Sequence, residues 1–359
     1  MDVKQVLLDL KKKIDPEIEK NLRQTIREVE KVDEDVAEAI KYVKKIILAG
    51  GKRARAIFMY YGYLGAGGKE LKKIIKASVS IELVHMFLLI HDDIIDQDNK
   101  RHGVATIHKH YSGIGKNFLR VKNPEHFGSS IGIVIGDTIG ALGNKALYES
   151  EFEPKLIVSA LHRLQNIVAL TCVGGTEDLI IESKREASEK EIMRMYKNKT
   201  AKYTIEGPLH LGAILAGADE KILKTLSAYS IPVGIAFQIQ DDILGIFGDE
   251  KKLGKPVGSD VRQGKRTILV AKDYEKADSR QKKILDNTLG KKDLTLEDLE
   301  NFRSVITETG SLGYAKKLAE KFVAEGKSAL LGSSRKVGLK KETEEFLLGI
   351  GDYIINRTV

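Results

Sequence analysis

An apolar segment that runs into three carboxylates constrains the fold of this chain more than any other stretch of its sequence. Residues 77–90 are mostly apolar or small and contain neither proline nor glycine, which predicts a helix buried on nearly all sides. Asp92, Asp93 and Asp96 follow, and the first and last of them, four residues apart, share one helical face and repel each other. A bound hard cation such as magnesium would relieve that repulsion, whereas a solvated helix end is the simpler interpretation of one isolated cluster.

The same pattern occurs a second time, which favours the metal site over a solvated helix end. Residues 231–239 are apolar and lead into Asp241 and Asp242, so that both clusters share the pattern Ile-x-Asp-Asp-Ile. Two such helix ends could face each other across a cavity and hold several metal ions between them. Metal ions held by carboxylates on one side keep open positions for phosphate oxygens.

Composition bounds the fold class and the cell compartment. The 359 residues contain six prolines, helical periodicity is widespread and alternating β-branched runs are scarce, which predicts an all-α protein. We expect no apolar run long enough to span a bilayer and no signal peptide, and the single cysteine, Cys172, also favours a cytoplasmic protein. The net charge of +8 comes from Lys and Arg interleaved with Glu, so we interpret it as a solvated surface and not as a nucleic-acid site.

Several polar segments interrupt the predicted helices. Residues 50–55, Gly-Gly-Lys-Arg-Ala-Arg, end one helix and open the next with three cations, which is favourable when an anion binds at that helix end. Residues 97–103 leave the first cluster as a polar loop, and residues 112–127 look like a loop insertion containing Gly and Lys. The pattern predicts a kinked helix over residues 191–215 and a loop over residues 248–266.

In their order along the chain, these segments resemble the trans-prenyl diphosphate synthase family. The collinear motifs are Gly-Gly-Lys-Arg-x-Arg, His-Asp-Asp-Ile-Ile-Asp, Lys-Thr, Phe-Gln-Ile-Gln-Asp-Asp-Ile-Leu and Gly-Lys-x-x-Gly-Ser-Asp, and they cover residues 40–270. The sequence that begins at the second cluster, Asp-Asp-Ile-Leu-Gly-Ile-Phe-Gly, most resembles that of archaeal geranylgeranyl diphosphate synthases. The resemblance implies one polyprenyl synthase domain over residues 1–359, an all-α bundle of the isoprenoid-synthase type around a central cavity, and a homodimer.

The resemblance also implies a reaction, a cofactor and substrates. Members of the family join isopentenyl diphosphate head to tail to an allylic diphosphate, and catalysis is largely electrostatic stabilisation of the departing diphosphate. The implied cofactor is Mg²⁺, three ions per active site, for which Mn²⁺ could substitute. The implied main product is geranylgeranyl diphosphate, with farnesyl or longer polyprenyl diphosphates as alternatives.

By resemblance, the candidate site residues divide into groups by role. The implied metal ligands are Asp92, Asp96 and Asp241. The carboxylates implied to support them are those of Asp93 and Asp242. The residues implied to hold the allylic diphosphate are Arg101, Lys199, Lys255 and Lys265. Those implied to face the cation formed from it are Thr200 and Gln238. Those implied to hold the second diphosphate are Lys52, Arg55, His85 and His102.

Product length is assigned to the helix that precedes the first cluster. Val84, Phe87 and Leu88, at spacings of three and four, lead down from Asp92, and Phe87 lies about 7.5 Å from it along the helix axis. In the family, an aromatic residue at this fifth position without a second at the fourth resembles the producers of twenty-carbon chains. A core Phe packed against a neighbouring helix is the alternative interpretation.

Three positions depart from the family pattern, and three other protein classes remain open. Gly245 stands where the second cluster usually has a third Asp, His102 where an Arg is usual, and Gly175 where a Gln is usual. The alternatives are a class I terpene cyclase, a non-catalytic regulatory subunit of a prenyltransferase and a helical di-iron protein. The second cluster lacks the cyclase pattern, Asp92 and Lys52 are both retained, and one Glu-x-x-His adjoins a motif where a di-iron site needs two.

Overall fold

The computed structural model describes residues 1–184, 186–248 and 257–357, and in this part of the chain the structure is almost entirely helical, which confirms the all-α class. The α-helices, in chain order, are α1 (Val3–Glu30), α2 (Glu34–Ala49), α3 (Ala54–Gly65), α4 (Leu71–Ala77), α5 (Val79–Ile95), α6 (Ile107–Ile114), α7 (Pro124–Tyr148), α8 (Pro154–Ser183), α9 (Glu189–Met195), α10 (Gly207–Leu215), α11 (Glu220–Phe247), α12 (Ser259–Gln263), α13 (Ile268–Lys276), α14 (Ser279–Thr288), α15 (Leu296–Glu308), α16 (Ser311–Ser333) and α17 (Lys341–Ile355). Two π-helices are π1 (Gly115–Leu119) and π2 (Tyr196–Glu206). One antiparallel hairpin pairs β1 (Lys100–Arg101) with β2 (Val104–Ala105).

The two apolar segments form α5 and α11, which are central helices of the bundle. Helix α5 packs against α7, and α11 packs against α16 and π2. Two clusters of buried apolar side chains make up the core, and α11 contributes to both, with Tyr229 and Val233 in one and Ile235 and Ile239 in the other. Burying one such side chain contributes about 1.5–3 kcal/mol. The core therefore holds α5 and α11 firmly, and each carries its aspartates near its carboxyl end.

The predicted loop insertion at residues 112–127 is mostly helical, and the expectation of a loop is wrong there except at residues 120–123. Helix α6 continues into π1, and α7 begins directly after the four-residue connection. Pro124 occupies the first turn of α7, where its missing N–H costs nothing, and the Asn123 side chain accepts a hydrogen bond from the His126 N–H at 3.1 Å. These two start signals outweigh the nearby glycines.

The sequence predicted a kinked helix over residues 191–215. In the structure, this part of the chain changes from α-helical to π-helical pitch and back. Helix α9 runs directly into π2 and then into α10, without a break in the helical conformation. A Cβ at Gly174 of α8 would lie 2.3 Å from the backbone nitrogen of Lys199, so only glycine allows α8 to approach π2 this closely. The loop predicted over residues 248–266 contains the short helix α12. Lys255 lies outside the described residues.

Among the described residues, three helical stretches are long and apolar enough to cross a membrane by length and composition: Leu71–Ile95, Pro154–Ser183 and Glu220–Phe247. The expectation that no apolar run reaches this length is therefore wrong. In the first and third stretches, 67% and 56% of the most apolar window is buried within the protein, as expected for central helices of a large bundle. In α8 that share is 22%, so much of this helix presents apolar side chains outward.

Candidate active site

A cavity of about 760 Å³ lies where the aspartate-bearing ends of α5 and α11 meet. Asp96 of the first cluster and Asp241 and Asp242 of the second line this cavity, so the two clusters face a common space. Cationic and imidazole side chains line it as well: Lys52, Arg101, His102, Lys199 and Lys265. Negative and positive groups together make a polar cavity, which suits a ligand that carries both anionic groups and bound cations.

The three aspartates of the first cluster have different surroundings. Burial raises the pKa of Asp92, although Lys199 opposes that shift, and among the described residues no cation lies within 4.0 Å of its carboxylate. Asp93 is buried and accepts a hydrogen bond from Arg101 Nε at 3.0 Å, and burial raises its pKa to about 6. Asp96 accepts a hydrogen bond from Lys265 Nζ at 3.1 Å. Asp92 is therefore the carboxylate of this cluster that is available to a new partner.

The hairpin that follows α5 positions Arg101 and His102. His102 and Gly103 have φ values of 52° and 77°, which form the tight turn between the two short strands. A Cβ at Gly50 would lie 2.5 Å from the His102 ring, so the hairpin packs closely against the turn between α2 and α3 that carries Lys52. Burial and the neighbouring Arg101 lower the pKa of His102, which favours the neutral imidazole. Two of the predicted diphosphate-binding segments thus meet here.

The second cluster is embedded in a chain of neutral hydrogen bonds. Asp242 is buried and accepts hydrogen bonds from the Tyr196 hydroxyl and from Gln238 Nε2, the latter at 2.8 Å. Burial raises the pKa of Asp242 to about 8. Gln238 Oε1 in turn accepts a hydrogen bond from Thr200 Oγ1 at 2.6 Å. This chain fixes the orientation of the two residues predicted to face the cation.

Asp178 of α8 joins the two lysines at the centre of the cavity wall. Its Oδ2 atom lies 2.8 Å from Lys199 Nζ and 3.4 Å from Lys265 Nζ. Burial is the largest single effect and would lower the pKa of both ammonium groups. Asp178, together with Asp92 at Lys199 and with Asp96 and Glu182 at Lys265, nevertheless raises the pKa of each above its ordinary value. Both lysines therefore keep their positive charge inside the cavity.

The start of α3 and the middle of α5 contribute a second group of N–H donors. Arg55 Nη1 lies 3.0 Å from His85 Nε2, and Arg55 Nη2 donates to Thr204 Oγ1 at 2.9 Å. Burial and then Arg55 lower the pKa of His85 well below its usual range, so the imidazole is neutral and accepts at Nε2. The N–H is then on Nδ1, which is buried without a hydrogen-bond partner, as is Arg55 Nε. Arg53 differs, because it pairs with Asp15 at 2.6 Å and stabilises the fold.

The residues assigned to product length lie away from this polar cavity. A Cβ at Gly140 of α7 would lie 3.1 Å from the Phe87 ring, and one at Gly143 would lie 2.8 Å from Val84 Cγ2. Phe87 and Val84 therefore face α7, and the Phe87 ring also contacts the His91 ring at 4.9 Å between centroids. Leu88 is half-buried against the same core. The assignment of these residues to product length stays a prediction.

Sequence reasoning missed the site contributions of Tyr196, Asp260 and Arg357. A Cβ at Gly245 would lie 2.4 Å from Asp260 Oδ2, so the missing side chain at this departure from the family pattern makes room for another cavity-lining carboxylate. Arg357 forms an ion pair with Asp241, and its guanidinium lies 4.8 Å from the centroid of the Phe237 ring. Asp260 belongs to the Gly-Ser-Asp motif and could have been singled out, whereas no local pattern indicates Arg357. A Cβ at Gly175 would meet nothing within 4 Å.

The carboxylates suit a metal ion that is shared with a phosphate ligand. Among the described residues, no three His, Cys, Asp or Glu side chains lie close enough to hold a metal ion by themselves. Mg²⁺ in proteins typically uses one or two carboxylates and completes its octahedron with phosphate oxygens and water. Asp96 on one side of the cavity and Asp241 on the other offer such partial sites, and Asp92 lies one helical turn before Asp96, so the donor set fits Mg²⁺.

Comparisons with known proteins agree with this geometry. The family model described as polyprenyl synthetase matches residues 15–306. The geranylgeranyl diphosphate synthase of Saccharolobus solfataricus is 37% identical over 77% of this chain and 78% of the relative, and the geranylfarnesyl diphosphate synthase of Aeropyrum pernix is 34% identical over 87% and 92%. A crystal structure of geranylgeranyl pyrophosphate synthase from Corynebacterium glutamicum, complexed with isoprenyl diphosphate and magnesium, superposes with a TM-score of 0.91 at 27% identity, covering 97% of this chain and 98% of that one.

Proposed function

We propose, on the premise that this chain belongs to the polyprenyl synthetase family, that it is a trans-prenyltransferase which makes mainly geranylgeranyl diphosphate. It condenses isopentenyl diphosphate head to tail with allylic diphosphates. The observation that carries this proposal is the single cavity lined by aspartates of both helix ends and by charged lysines. That arrangement suits the departure of a diphosphate from an allylic carbon, because negative charge grows on the diphosphate as the carbon–oxygen bond breaks.

Asp92, Asp96 and Asp241 are the residues that would hold Mg²⁺, with Asp93 and Asp242 in support. When bound, the metal supplies positive charge to the oxygens of the departing diphosphate. The full proposal is three ions per site, replaceable by Mn²⁺. Asp260 is well placed to supply the carboxylate that position 245 lacks, because the two positions adjoin at the cavity wall.

Lys199, Lys265 and Arg101 would bind the allylic diphosphate, together with Lys255. Their present partners, Asp178 and Asp93, hold the ammonium and guanidinium groups in place, so little rotamer entropy is lost when substrate binds. Thr200 and Gln238 would direct oxygen atoms at the allylic cation, since their hydrogen bond fixes both side chains. Exclusion of water from this cation is needed because water would capture it.

Lys52, Arg55, His85 and His102 would hold isopentenyl diphosphate without metal. The buried N–H groups of Arg55 and His85 that have no acceptor in the described structure support an anion here. Neutral His102 contributes less charge than the usual Arg, so this site binds its diphosphate more weakly than in relatives that have Arg. The two diphosphates thus bind by different means, one through metal and one through hydrogen bonds.

A homodimer accords with the outward apolar face of α8. Val158, Val173 and Ile180 are exposed along one side of this helix, and Ile133 and Val134 are exposed on the adjacent α7. A second copy that covers this face would bury it, and we propose that the functional unit is a cytoplasmic homodimer in which each chain is one domain. Sedimentation should give the mass of a dimer, and Val158→Arg with Val173→Arg should give a monomer.

The decisive experiment for the function is direct. Purified protein is incubated with Mg²⁺, labelled isopentenyl diphosphate and each allylic starter in turn, and the products are sized after removal of the diphosphate. The expected product has twenty carbons. A folded, dimeric protein that makes no prenyl product with any starter would favour the non-catalytic subunit instead, and longer chains would favour a synthase of the geranylfarnesyl type.

Chain length is tested by a pair of substitutions in α5. Phe87→Ala should lengthen the product and Leu88→Phe should shorten it, because we propose that the growing chain lies along the part of α5 that carries both side chains. Phe322→Ala, which truncates a half-buried Phe of α16, is the matched control and should leave the product unchanged. If neither α5 substitution moves the product distribution, the end of the chain pocket lies elsewhere.

A further inference from the structure

The segment between α6 and α7 carries two large apolar side chains that the protein does not cover. Phe118 is 78% exposed and Leu119 is 59% exposed. The same segment turns other apolar groups inward, since a Cβ at Gly115 would lie 2.8 Å from the Phe127 ring and 3.0 Å from Val121 Cγ2. The exposure of Phe118 and Leu119 is therefore selective and does not result from a segment without packing of its own.

The backbone of this segment fixes the two side chains in their outward position. Leu119 ends π1, Arg120 adopts a left-handed conformation with φ 51°, and the N–H of Val121 donates to the carbonyl of Gly115 at 2.9 Å. The Asn123 cap then starts α7 immediately. A protrusion closed at both ends by hydrogen bonds presents Phe118 and Leu119 without further ordering.

Basic side chains surround this apolar tip. Lys116, Arg120 and Lys122 are all exposed. Glu125 is the only acidic residue between Gly103 and Gly136, and it pairs with Lys109 at 3.0 Å. The three cations at the tip are thus not neutralised by acidic residues nearby in the sequence, although charges over the whole chain are well mixed.

The tip lies at the end of the molecule where α5 carries its aspartates. Helix α7 runs antiparallel along α5, because Gly143 contacts Val84, Gly136 contacts His91 and Gly132 contacts Ile94. Continuing toward the start of α7 leads past the end of α5 to the exposed segment. A surface that binds here would lie beside the polar end of the cavity.

We propose that residues 116–122 dock the protein onto an anionic lipid bilayer, with Phe118 and Leu119 entering the interfacial region and Lys116, Arg120 and Lys122 contacting the headgroups. Apolar tips flanked by Lys and Arg are typical of segments that bind membrane interfaces, and two side chains are too small an apolar area for a stable protein interface. An amphiphilic diphosphate product gives such docking a use, but the binding itself does not depend on the reaction.

Vesicle binding of the full chain tests this proposal. The protein is sedimented with vesicles of phosphatidylcholine alone and of equal parts phosphatidylcholine and phosphatidylglycerol. We expect binding to the anionic vesicles only, and its loss at high salt. Phe118→Ser with Leu119→Ser should weaken binding about tenfold. Lys116→Gln, Arg120→Gln and Lys122→Gln together should weaken it about a hundredfold, since each cation contributes about fivefold near an anionic surface.

Matched controls separate docking from general surface effects. Val32 and Leu296 are 86% and 83% exposed, and Val32→Ser with Leu296→Ser should bind vesicles like the wild type. Lys282→Gln, Lys283→Gln and Lys317→Gln remove the same charge elsewhere and should also have little effect. Equal binding to both kinds of vesicle, or equal losses in control and tip variants, would overturn the proposal. Tip variants that change the sedimentation mass but not lipid binding would instead make this segment a contact between copies.

Discussion

The ends of α5 and α11 have nearly the same sequence, Ile-x-Asp-Asp-Ile, but they stabilise their buried second aspartate in opposite ways. Asp93 pairs with the cation Arg101, whereas Asp242 is bonded by the neutral donors Tyr196 and Gln238. The first aspartates differ too. Asp92 has no ion pair in the described structure, while Asp241 is paired with Arg357.

The difference shows that one local motif can be embedded in two electrostatic settings. A carboxylate paired with a largely buried guanidinium is favoured in its ionised form, because its loss would leave Arg101 with only the more distant Asp98 carboxylate, at 3.7 Å. A carboxyl group surrounded by neutral donors tolerates its protonated form, in agreement with the pKa of about 8 at Asp242 against about 6 at Asp93. In both clusters the second aspartate is buried and held by hydrogen bonds from neighbouring side chains.

The largest expected effect separates the two first aspartates. Asp92→Ala should lower kcat by at least about a thousandfold, because it removes a carboxylate that, in the proposed mechanism, would hold metal against the departing diphosphate. Asp241→Ala should lower it less, since in the proposed arrangement Asp241 would hold only one of the three ions. Steady-state kinetics with saturating Mg²⁺ measures both, and exposed Asp293→Ala is the control. Near-normal turnover of an Asp92→Ala variant that is as stable as the wild type would refute the assignment of Asp92 as a metal ligand.

The next effect concerns the second aspartates and is seen in stability. Asp93→Asn should lower the free energy of unfolding by about 3 kcal/mol, because Arg101 would lose the closer of its two carboxylate partners in a largely buried place and keep only Asp98. Asp242→Asn should cost less than about 1 kcal/mol, because an amide can accept from Gln238 and donate to Tyr196. Urea unfolding at neutral pH measures the contrast. Equal losses of unfolding free energy in the two variants would mean that the cost does not depend on whether the hydrogen-bond donor to the aspartate is charged or neutral.

A carboxyl group far from the cavity sharpens the comparison through its pH dependence. Asp273 of α13 is buried and accepts a hydrogen bond from the Thr309 hydroxyl, and burial raises its pKa to about 6. Because the folded state then binds the proton more tightly than the unfolded state, stability should fall as pH rises from about 4 to about 6, by at most about 3 kcal/mol. Asp273→Asn should lose this slope in urea unfolding across that range, and identical slopes in both proteins would contradict the assignment.

The smallest expected effect concerns Arg357. Arg357→Gln should strengthen Mg²⁺ binding at the second cluster about two- to fivefold. In the variant, no guanidinium competes with the metal ion for the Asp241 carboxylate, and the lost ion pair is partly exposed and therefore weak. Titration of Mg²⁺ followed by thermal unfolding measures this affinity in the absence of substrate. Arg335→Gln, which removes an exposed cation elsewhere, should leave the affinity unchanged. Weaker Mg²⁺ binding in the Arg357 variant would contradict competition.

The sequence was sufficient to predict the all-α class and to predict that the two aspartate clusters face a common cavity. Both predictions rest on local properties of the chain, namely apolar periodicity and repulsion between neighbouring charges. The sequence was not sufficient for Arg357 or Tyr196, whose roles depend on contacts between residues distant in the chain. The sequence also predicted a loop over residues 112–127, where the structure has the end of α6, π1 and the start of α7. That prediction came from the glycines in this segment and did not take into account the Asn123 cap or the packing of Phe127.

The chain-length stripe shows a different limit of sequence reasoning. Spacings of three and four placed Phe87 on the wall below Asp92, but the side chain points toward Gly140 of α7. A helical spacing of five residues rotates the Phe87 side chain by about 140° relative to Asp92, so the spacing alone does not decide whether Phe87 lines the space below Asp92. Only the neighbouring helix, which the sequence did not specify, shows which surface Phe87 belongs to.

The π-helix that carries Lys199 and Thr200 has a consequence for how this chain can change length. Insertions and deletions are usually tolerated in exposed loops, where the flanking elements keep their orientation. Within Tyr196–Glu206, loss of one residue would return the segment toward α-helical pitch, and each residue step rotates the next part of the helix by about 100°. Lys199 and Thr200 would then turn away from the cavity or α10 would turn away from α3, so this stretch should admit substitutions far more readily than any change in residue number.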